Sequence, residues 1–307
     1  MIYPMNINEF ERKFGNEALC QEYLFDLKYK EGFICEKCKN SEYWLVKSNL
    51  YECKKCGHQN RLTAGTIFEN TRKPLSMWFR AMWWITSQKN GISALGLQRI
   101  LGIGSYETAW TWLHKLRIAM VRPGRDKLNG IIEVDEAFIG GKQSGGNRGR
   151  GTDNKTLIAV AVEKNDNKIG RIRLAVIKDS SSESLLEFIQ NSVETGSAIY
   201  TDGWKGYNDI ENYGYKHIIS ERKKEKKDVT LPKVHLVISL FKRWIMGTLQ
   251  GSVSNQHMEY YLDEYTFRFN RRTSASRGKL FYRLLDQAVQ IKPVTYNEIV
   301  EKKELNL

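Results

Sequence analysis

Four of the five cysteines, Cys35, Cys38, Cys53 and Cys56, stand in a C-x2-C-x14-C-x2-C array. Each C-x2-C makes a turn that aims two thiolates at one point. The intervening Tyr43-Trp44-Leu45-Val46 and Leu50-Tyr51-Glu52 read as hairpin strands that bring the second pair beside the first. Four thiolates close a tetrahedral zinc site, and with no open position for water such a zinc holds a small fold together and does not catalyse. Tight cysteine pairs suit a metal in a reducing compartment better than a disulfide framework, so no disulfide is expected. Cys20 lies outside the array and reads as a buried small hydrophobe.

At 307 residues and 41% hydrophobic content the chain has the length for about two domains and the means to bury a core, which excludes a disordered protein. Its net charge of +13 points to a polyanionic partner, because each Lys or Arg set against a phosphate releases condensed counterions. The charge is clustered: residues 216–250 hold nine basic against three acidic residues, and 264–283 hold six against one. A solvated basic surface is the alternative explanation. Met1–Cys20 is charged throughout, without the apolar stretch of a signal peptide, and no run approaches the roughly 18 apolar residues of a membrane span. The expectation is a cytoplasmic, nucleoid-associated prokaryotic protein with no membrane partner.

The periodicities divide the chain into a helical lead-in and zinc ribbon (1–70), a tryptophan-rich helical region (71–123), an α/β segment (130–290) and a tail (291–307). Leu75–Ser87 makes one amphipathic helix. Ile92–Leu101, a Gly102-Ile103-Gly104-Ser105 turn and Tyr106–Met120 resemble a helix-turn-helix, whose second helix would enter the major groove. That helix offers Ala109, Trp112, Leu113 and Leu116 to a core, and Thr111, His114, Lys115 and Arg117 outward, with His114 and Lys115 as candidate DNA contacts. Plain helix packing is the competing reading. Beyond a linker at Gly124–Gly130, strands are predicted over 131–141, Thr156–Glu163, Gly170–Ile177, Ala198–Thr201 and Tyr215–Ile219, and a helix over Ser181–Val193. A glycine-rich loop is expected at 140–155 and an exposed basic loop at Glu221–Lys227, followed by helices over His235–Leu249 and Met258–Arg271. Three strands, a helix, a strand and more helix is the order of an RNase H-like sheet.

Asp135 on a predicted strand, Asp202 at the end of another and His235 at the head of a helix form a spaced triad. Two carboxylates converging from neighbouring strands can bridge a pair of divalent cations about 3.5–4 Å apart for in-line attack at phosphorus. Magnesium suits such oxygen ligands. On residue types alone, structural salt bridges explain these acids equally well. The acids of Ile131-Ile132-Glu133-Val134-Asp135-Glu136 sit among apolar residues, where an ionised carboxylate is costly unless it meets a cation.

Val134-Asp135-Glu136-Ala137-Phe138-Ile139-Gly140-Gly141, Tyr200-Thr201-Asp202-Gly203-Trp204-Lys205-Gly206-Tyr207, Lys242-Arg243-Trp244, Gly247-Thr248 and Tyr261 to Arg272 together resemble DDE-type insertion-sequence transposases of the ISXO-like group, which carry an N-terminal zinc ribbon. The resemblance covers roughly residues 18–290. It implies an RNase H-like core, Asp135 and Asp202 as ligands of Mg²⁺ or Mn²⁺, and cleavage at element ends followed by transfer of the freed 3′-hydroxyl to target DNA. The partners implied are terminal inverted repeats, target DNA and a second copy of the chain in a dimer or larger synaptic assembly. At the third position, where many relatives have Glu, this chain has His235. Imidazole is a poorer ligand for magnesium, and His235 could instead favour manganese, donate to a phosphate or relay a proton. Glu133, on the same strand face as Asp135, is an alternative third ligand. Lys242, seven residues after His235, shares its helix face and is expected beside the reacting DNA, with Arg243. Glu264, Arg268 and Arg271 fall on one stripe that matches the family's Glu-Arg-Arg signature. Arg268, Arg271 and Arg272 are thus candidate DNA contacts, and an ion-pair ladder is the alternative for Glu264 and Arg268. A catalytically impaired or domesticated DNA-binding relative is one alternative function, and an RNase H-like nuclease or resolvase without strand transfer is another, against which the zinc ribbon and the helix-turn-helix argue.

Overall fold

The computed structural model describes residues 3–47, 49–122, 124–140, 155–220, 231–251 and 253–301. Most of the two loops expected at 140–155 and 221–227 lies outside them. The chain divides into two units, Gly124–Thr273 and a second made of Met1–Pro123 with Ser274–Leu307.

In the first unit, strand β5 (Thr156–Asn165) carries an unbroken run from Ile158 to Val162 that is fully buried. Such a strand must be covered on both faces. It pairs antiparallel with β4 (Ile131–Ile139) on one side and β6 (Lys168–Val176) on the other. Helix α6 (Ser182–Ser192), capped by the Ser181 hydroxyl, then returns the chain so that β7 (Ala198–Thr201) lies parallel to β4 and β8 (Lys216–Ile219) parallel to β7. The sheet order β6-β5-β4-β7-β8 is that of the RNase H-like fold expected from the sequence. Alternation sets the two cores. Ala137, Ile158, Val160 and Val162 face helices α7 (Pro232–Leu249) and α8 (Met258–Phe269), and Ile132, Val134, Ala159 and Ala161 face α6.

The segment after α8 locks that helix to the sheet. The Asn270 side chain pairs with the edge of β6, its Oδ1 accepting from Ile172 N–H at 2.7 Å and its amide donating to Ile172 C=O at 3.1 Å. Arg272 lies over the Phe269 ring and donates to the carbonyls of Ile169, Gly170 and Phe269.

In the second unit, α1 (Ile7–Phe14) and α2 (Glu17–Lys28) are each capped by an asparagine, Asn6 and Asn16. Strands β1 (Tyr43–Lys47), β2 (Leu50–Cys53) and β3 (Gln59–Arg61) form a small antiparallel sheet. Helices α3 (Leu75–Ser87), α4 (Ala94–Leu101) and α5 (Tyr106–Ala119) follow, with Gly102 at φ 62° making the turn between the last two. Pro74 offers α3 no side-chain cap, and the Glu17 carboxylate supplies one, accepting from Leu75 and Ser76 N–H at 2.9 Å each.

The sequence expectation ran the α/β core to residue 290, whereas the first unit closes at Thr273. Helix α9 (Arg277–Gln290) belongs with the N-terminal helices because Phe281 fills an aromatic cluster with Phe10, Phe14, Phe79 and Trp83. A last helix, α10 (Tyr296–Glu301), packs on α5. No helix among the described residues is long and apolar enough to cross a membrane.

Candidate active site

Strand β4 presents its odd-numbered residues to α7, and three of them organise the site. Glu133, 3% exposed, accepts from the N–H groups of Lys233 and Val234 at 2.8 and 3.0 Å. It therefore caps the first turn of α7, where Pro232 needs no partner. Two residues along β4, Asp135 meets His235, whose Nε2–H donates to Asp135 Oδ2 at 2.9 Å. Asp135 Oδ1 accepts the N–H of Glu136 at 2.9 Å. Ala137 then enters the core. Thus the buried acid that the sequence offered as an alternative third ligand is the helix cap that sets the start of α7 three residues before His235.

Asp202 arrives from the neighbouring strand. The parallel ladder of β4 and β7 ends with Glu133 opposite Tyr200, so Asp135 and Asp202 each stand two residues beyond the last paired position. Burial pushes the Asp135 carboxyl above its ordinary value, and the charge of Asp202 adds to this, while the Glu136 N–H and His235 oppose it. Such a crowding of acids favours a cation.

One stripe of α7, comprising His235, Ile238, Ser239, Lys242, Ile245 and Met246, lines a cleft of about 850 Å³ with Asp135 at its wall. Lys242 and Arg243 are both exposed.

The segment carrying Asp202 is pinned at several points. Thr201 Oγ1 and His217 Nε2 are 2.8 Å apart, Trp204 N–H donates to Asp202 Oδ1 at 2.9 Å, and the Trp204 indole donates to Ser180 C=O at 2.8 Å. A Cβ on Gly206 would stand 2.8 Å from Leu185 Cδ1 and 2.8 Å from Ser180 O, so only glycine lets the turn lie this close to α6. Tyr207, 1% exposed, donates its hydroxyl to Glu136 Oε1. Burial, with the charges of Asp135 and Asp202, pushes the Glu136 carboxyl up to about 7 against that hydrogen bond. Sequence reasoning did not single out this pair. The signal was an acid inside an apolar strand with a tyrosine five residues after the second aspartate.

Several predicted contacts fall elsewhere. His114 is fully buried, its ring 4.0 Å from that of Trp110 and its Nε2 3.4 Å from Arg117 Nη1, and Arg117 is 2% exposed. Neither can face DNA from there. Lys115 is half-buried, and that burial pulls its amine below the ordinary value. The expected core residues Ala109, Trp112, Leu113 and Leu116 are buried, and α9 and α10 also pack on α5, with Tyr296 of α10 against Trp110. Arg268, 9% exposed, bonds Glu264 at 2.8 Å as a buried ion pair, the alternative to DNA contact that the sequence offered for these two residues. Arg271 stacks on the Phe267 ring and donates to Phe267 C=O at 3.0 Å. Arg272 is exposed, with its guanidinium on the carbonyls of β6 described above.

The four cysteines converge as their spacing predicted, with all four sulfurs within 4.8 Å of one another. Cys35 to Cys56 is 3.7 Å and Cys38 to Cys53 is 3.5 Å. Four thiolates at 2.3 Å from a tetrahedral zinc would be ~3.8 Å apart, so the donor set fits that ion. The two knuckles repeat one geometry: Lys39 N–H donates to Cys35 C=O, and Gly57 N–H to Cys53 C=O, with Lys39 and Gly57 at φ 62° and 67°. Burial pushes the Cys35 thiol up, but N–H groups of Cys38 and Lys37 and the neighbouring sulfurs outweigh it and bring it down to about 6. Cys20 is buried, and burial pushes its thiol up to about 12, as suits an inert core position.

Residues 127–270 match the family described as ISXO2-like transposase domain, and residues 15–59 match the transposase zinc-ribbon domain. A protein of Halobacterium salinarum described as an uncharacterized protein in transposable element ISH50 is 21% identical over 277 residues, which span 84% of this chain and 92% of that one. Among solved structures, the catalytic core domain of BIV integrase aligns with 50% of this chain and 94% of its own at 15% identity and a TM-score of 0.33. That likeness is too slight to carry the fold, which rests on the strand order and the matched domain. The matched segments contain the four cysteines, Asp135, Asp202 and His235 in the expected order, and the chain belongs to the ISXO2-like insertion-sequence transposases with an N-terminal zinc ribbon.

Proposed function

We propose that this transposase binds the terminal inverted repeats of its element, cleaves DNA there and joins the freed 3′-hydroxyl to target DNA, with Asp135 and Asp202 holding the divalent cations. The observation that carries the reading is the register of β4 and β7, which sets both acids just past the paired ends of adjacent parallel strands. Oxygen donors and the charge of Asp202 beside the buried Asp135 fit Mg²⁺ or Mn²⁺. When bound, the cations supply activation of the attacking oxygen and stabilisation of the leaving oxygen at phosphorus. The chain's own residues do the rest. His235 orients the Asp135 carboxylate through its 2.9 Å hydrogen bond to Oδ2, while the Glu136 N–H holds Oδ1. Lys242, two turns further along the same cleft-lining stripe, offers a cation to the DNA backbone, and the exposed Arg243 adds to that field. The four thiolates hold a structural Zn²⁺ that fixes the ribbon. Synapsis of two element ends calls for a dimer or larger assembly.

Incubation with terminal repeats, a target plasmid and Mg²⁺ or Mn²⁺ tests this. Joined products are expected from the wild type and none from Asp135→Ala or Asp202→Ala. Binding without cutting would identify an impaired relative, the reading that the histidine at position 235 favours, and full activity in either variant would refute the site.

A further inference from the structure

The β4–β7 ladder stops at Glu133 and Tyr200, short of both aspartates. Neighbouring strands diverge beyond their last hydrogen bonds through the twist of the sheet, so the ladder alone does not fix the distance between the two carboxylates. The Asp202 segment has three anchors past that point. Thr201 with His217 ties it to β8, and Trp204 with Ser180 ties it to the entry of α6, neither of which carries Asp135. The third anchor reaches β4 itself: Tyr207 is buried beneath the turn and bonds Glu136, the residue adjacent to Asp135. Glu136 points to the α6 face of the strand and Asp135 to the α7 face, so the two acids have separate tasks.

We propose that Tyr207 and Glu136 are a positioning pair that holds the Asp202 turn against β4 and so sets the Asp135–Asp202 separation at which divalent cations bind. The proposal rests on the reading of those two aspartates as the cation ligands. It also accounts for the Asp-Gly-Trp-Lys-Gly-Tyr spacing: Gly203 at φ 82° turns the chain, Gly206 lets it lie against α6, and Tyr207 then arrives at Glu136.

The test is Mn²⁺ binding to the full-length zinc-loaded protein without DNA, read by electron paramagnetic resonance, beside cleavage titrated with Mn²⁺. Removing a hydrogen-bond partner that orients metal ligands lowers affinity by about 10–100-fold. Tyr207→Phe keeps the buried ring, and it is expected to weaken Mn²⁺ binding about tenfold and to raise the Mn²⁺ needed for half-maximal cleavage by the same factor, with activity recovering at saturating metal. Glu136→Gln, whose amide oxygen still accepts from Tyr207, should stay near wild type, and Glu136→Asp, which withdraws the acceptor by one methylene, should behave like Tyr207→Phe. Wild-type Mn²⁺ affinity in Tyr207→Phe overturns the proposal. So does loss of binding in Glu136→Gln with retention in Tyr207→Phe, which would make Glu136 itself a ligand. Undiminished binding in both Asp135→Ala and Asp202→Ala would instead overturn the underlying site and the pair with it.

Discussion

Replacing Glu133 separates a helix cap from a metal ligand. Its carboxylate is 3% exposed and accepts two N–H groups from the first turn of α7. Glu133→Ala leaves a buried donor at Val234 and a part-buried one at Lys233 without this acceptor, and removes a negative charge from a helix N-terminus. Hydrogen bonds to charged groups contribute ~1.5–3 kcal/mol each, and loss of a cap costs ~0.5–2 kcal/mol, so the change should destabilise the unit by about 2–4 kcal/mol. For a unit of this size that corresponds to a fall in Tm of about 5–12 °C. Glu133→Gln retains an acceptor oxygen and loses chiefly the charge–dipole interaction, ~0.3–1 kcal/mol, or about 1–4 °C. Calorimetry on the full-length protein measures both, with Mn²⁺ binding followed in parallel. If both variants melted like the wild type yet failed to bind Mn²⁺, Glu133 would be a ligand and the capping argument would be wrong.

The zinc site should give one zinc per chain, and Cys35→Ser or a strong chelator should release it, which a colorimetric zinc indicator reads, and expose residues 33–61 to protease while the β4–β8 sheet keeps its melting transition. For the buried pair, Glu264→Gln alone should cost about 3–5 kcal/mol by removing the carboxylate charge beside the buried Arg268 guanidinium, whereas the double change Glu264→Gln with Arg268→Met should cost less, as denaturant unfolding would report; a larger loss in the double variant would contradict the pairing. Burial pushes the Glu163 carboxyl up, but the Arg171 guanidinium and the N–H groups of Arg171 and Asn129 outweigh it and hold it below its ordinary value of 4.5. A depressed folded-state value means that the stabilisation is complete above pH 4.5 and is lost as pH falls through the folded value. The stability gap between wild type and Arg171→Met should therefore shrink as pH is lowered below that point, and a gap that widens on acidification would refute the assignment.

The sequence by itself determined what depends on short spacing. Two C-x2-C pairs set the knuckle geometry within five residues, and local periodicity located α3 at Leu75–Ser87 and β7 at Ala198–Thr201 at their observed ends. Motif resemblance marked Asp135 and Asp202 because both stand in recognisable local strings. What each charged side chain meets was decided by tertiary structure. His114 looked outward on its own helix and is buried beside Trp110, on a helix against which α9 and α10 from the far end of the chain pack. Arg268 carries a stripe that suits phosphate, yet packing turned it onto Glu264 inside the core. Glu133, Glu136 and Asp135 are neighbours in one apolar strand, and the sequence predicted only that an ionised acid there meets a cation. Their partners, the α7 N-terminus, Tyr207 and His235, lie 71 to 101 residues away. Chain stiffness specifies geometry over a few residues, whereas which distant donor reaches a buried carboxylate depends on how the sheet and helices pack, and three acids in one strand acquire three roles only there.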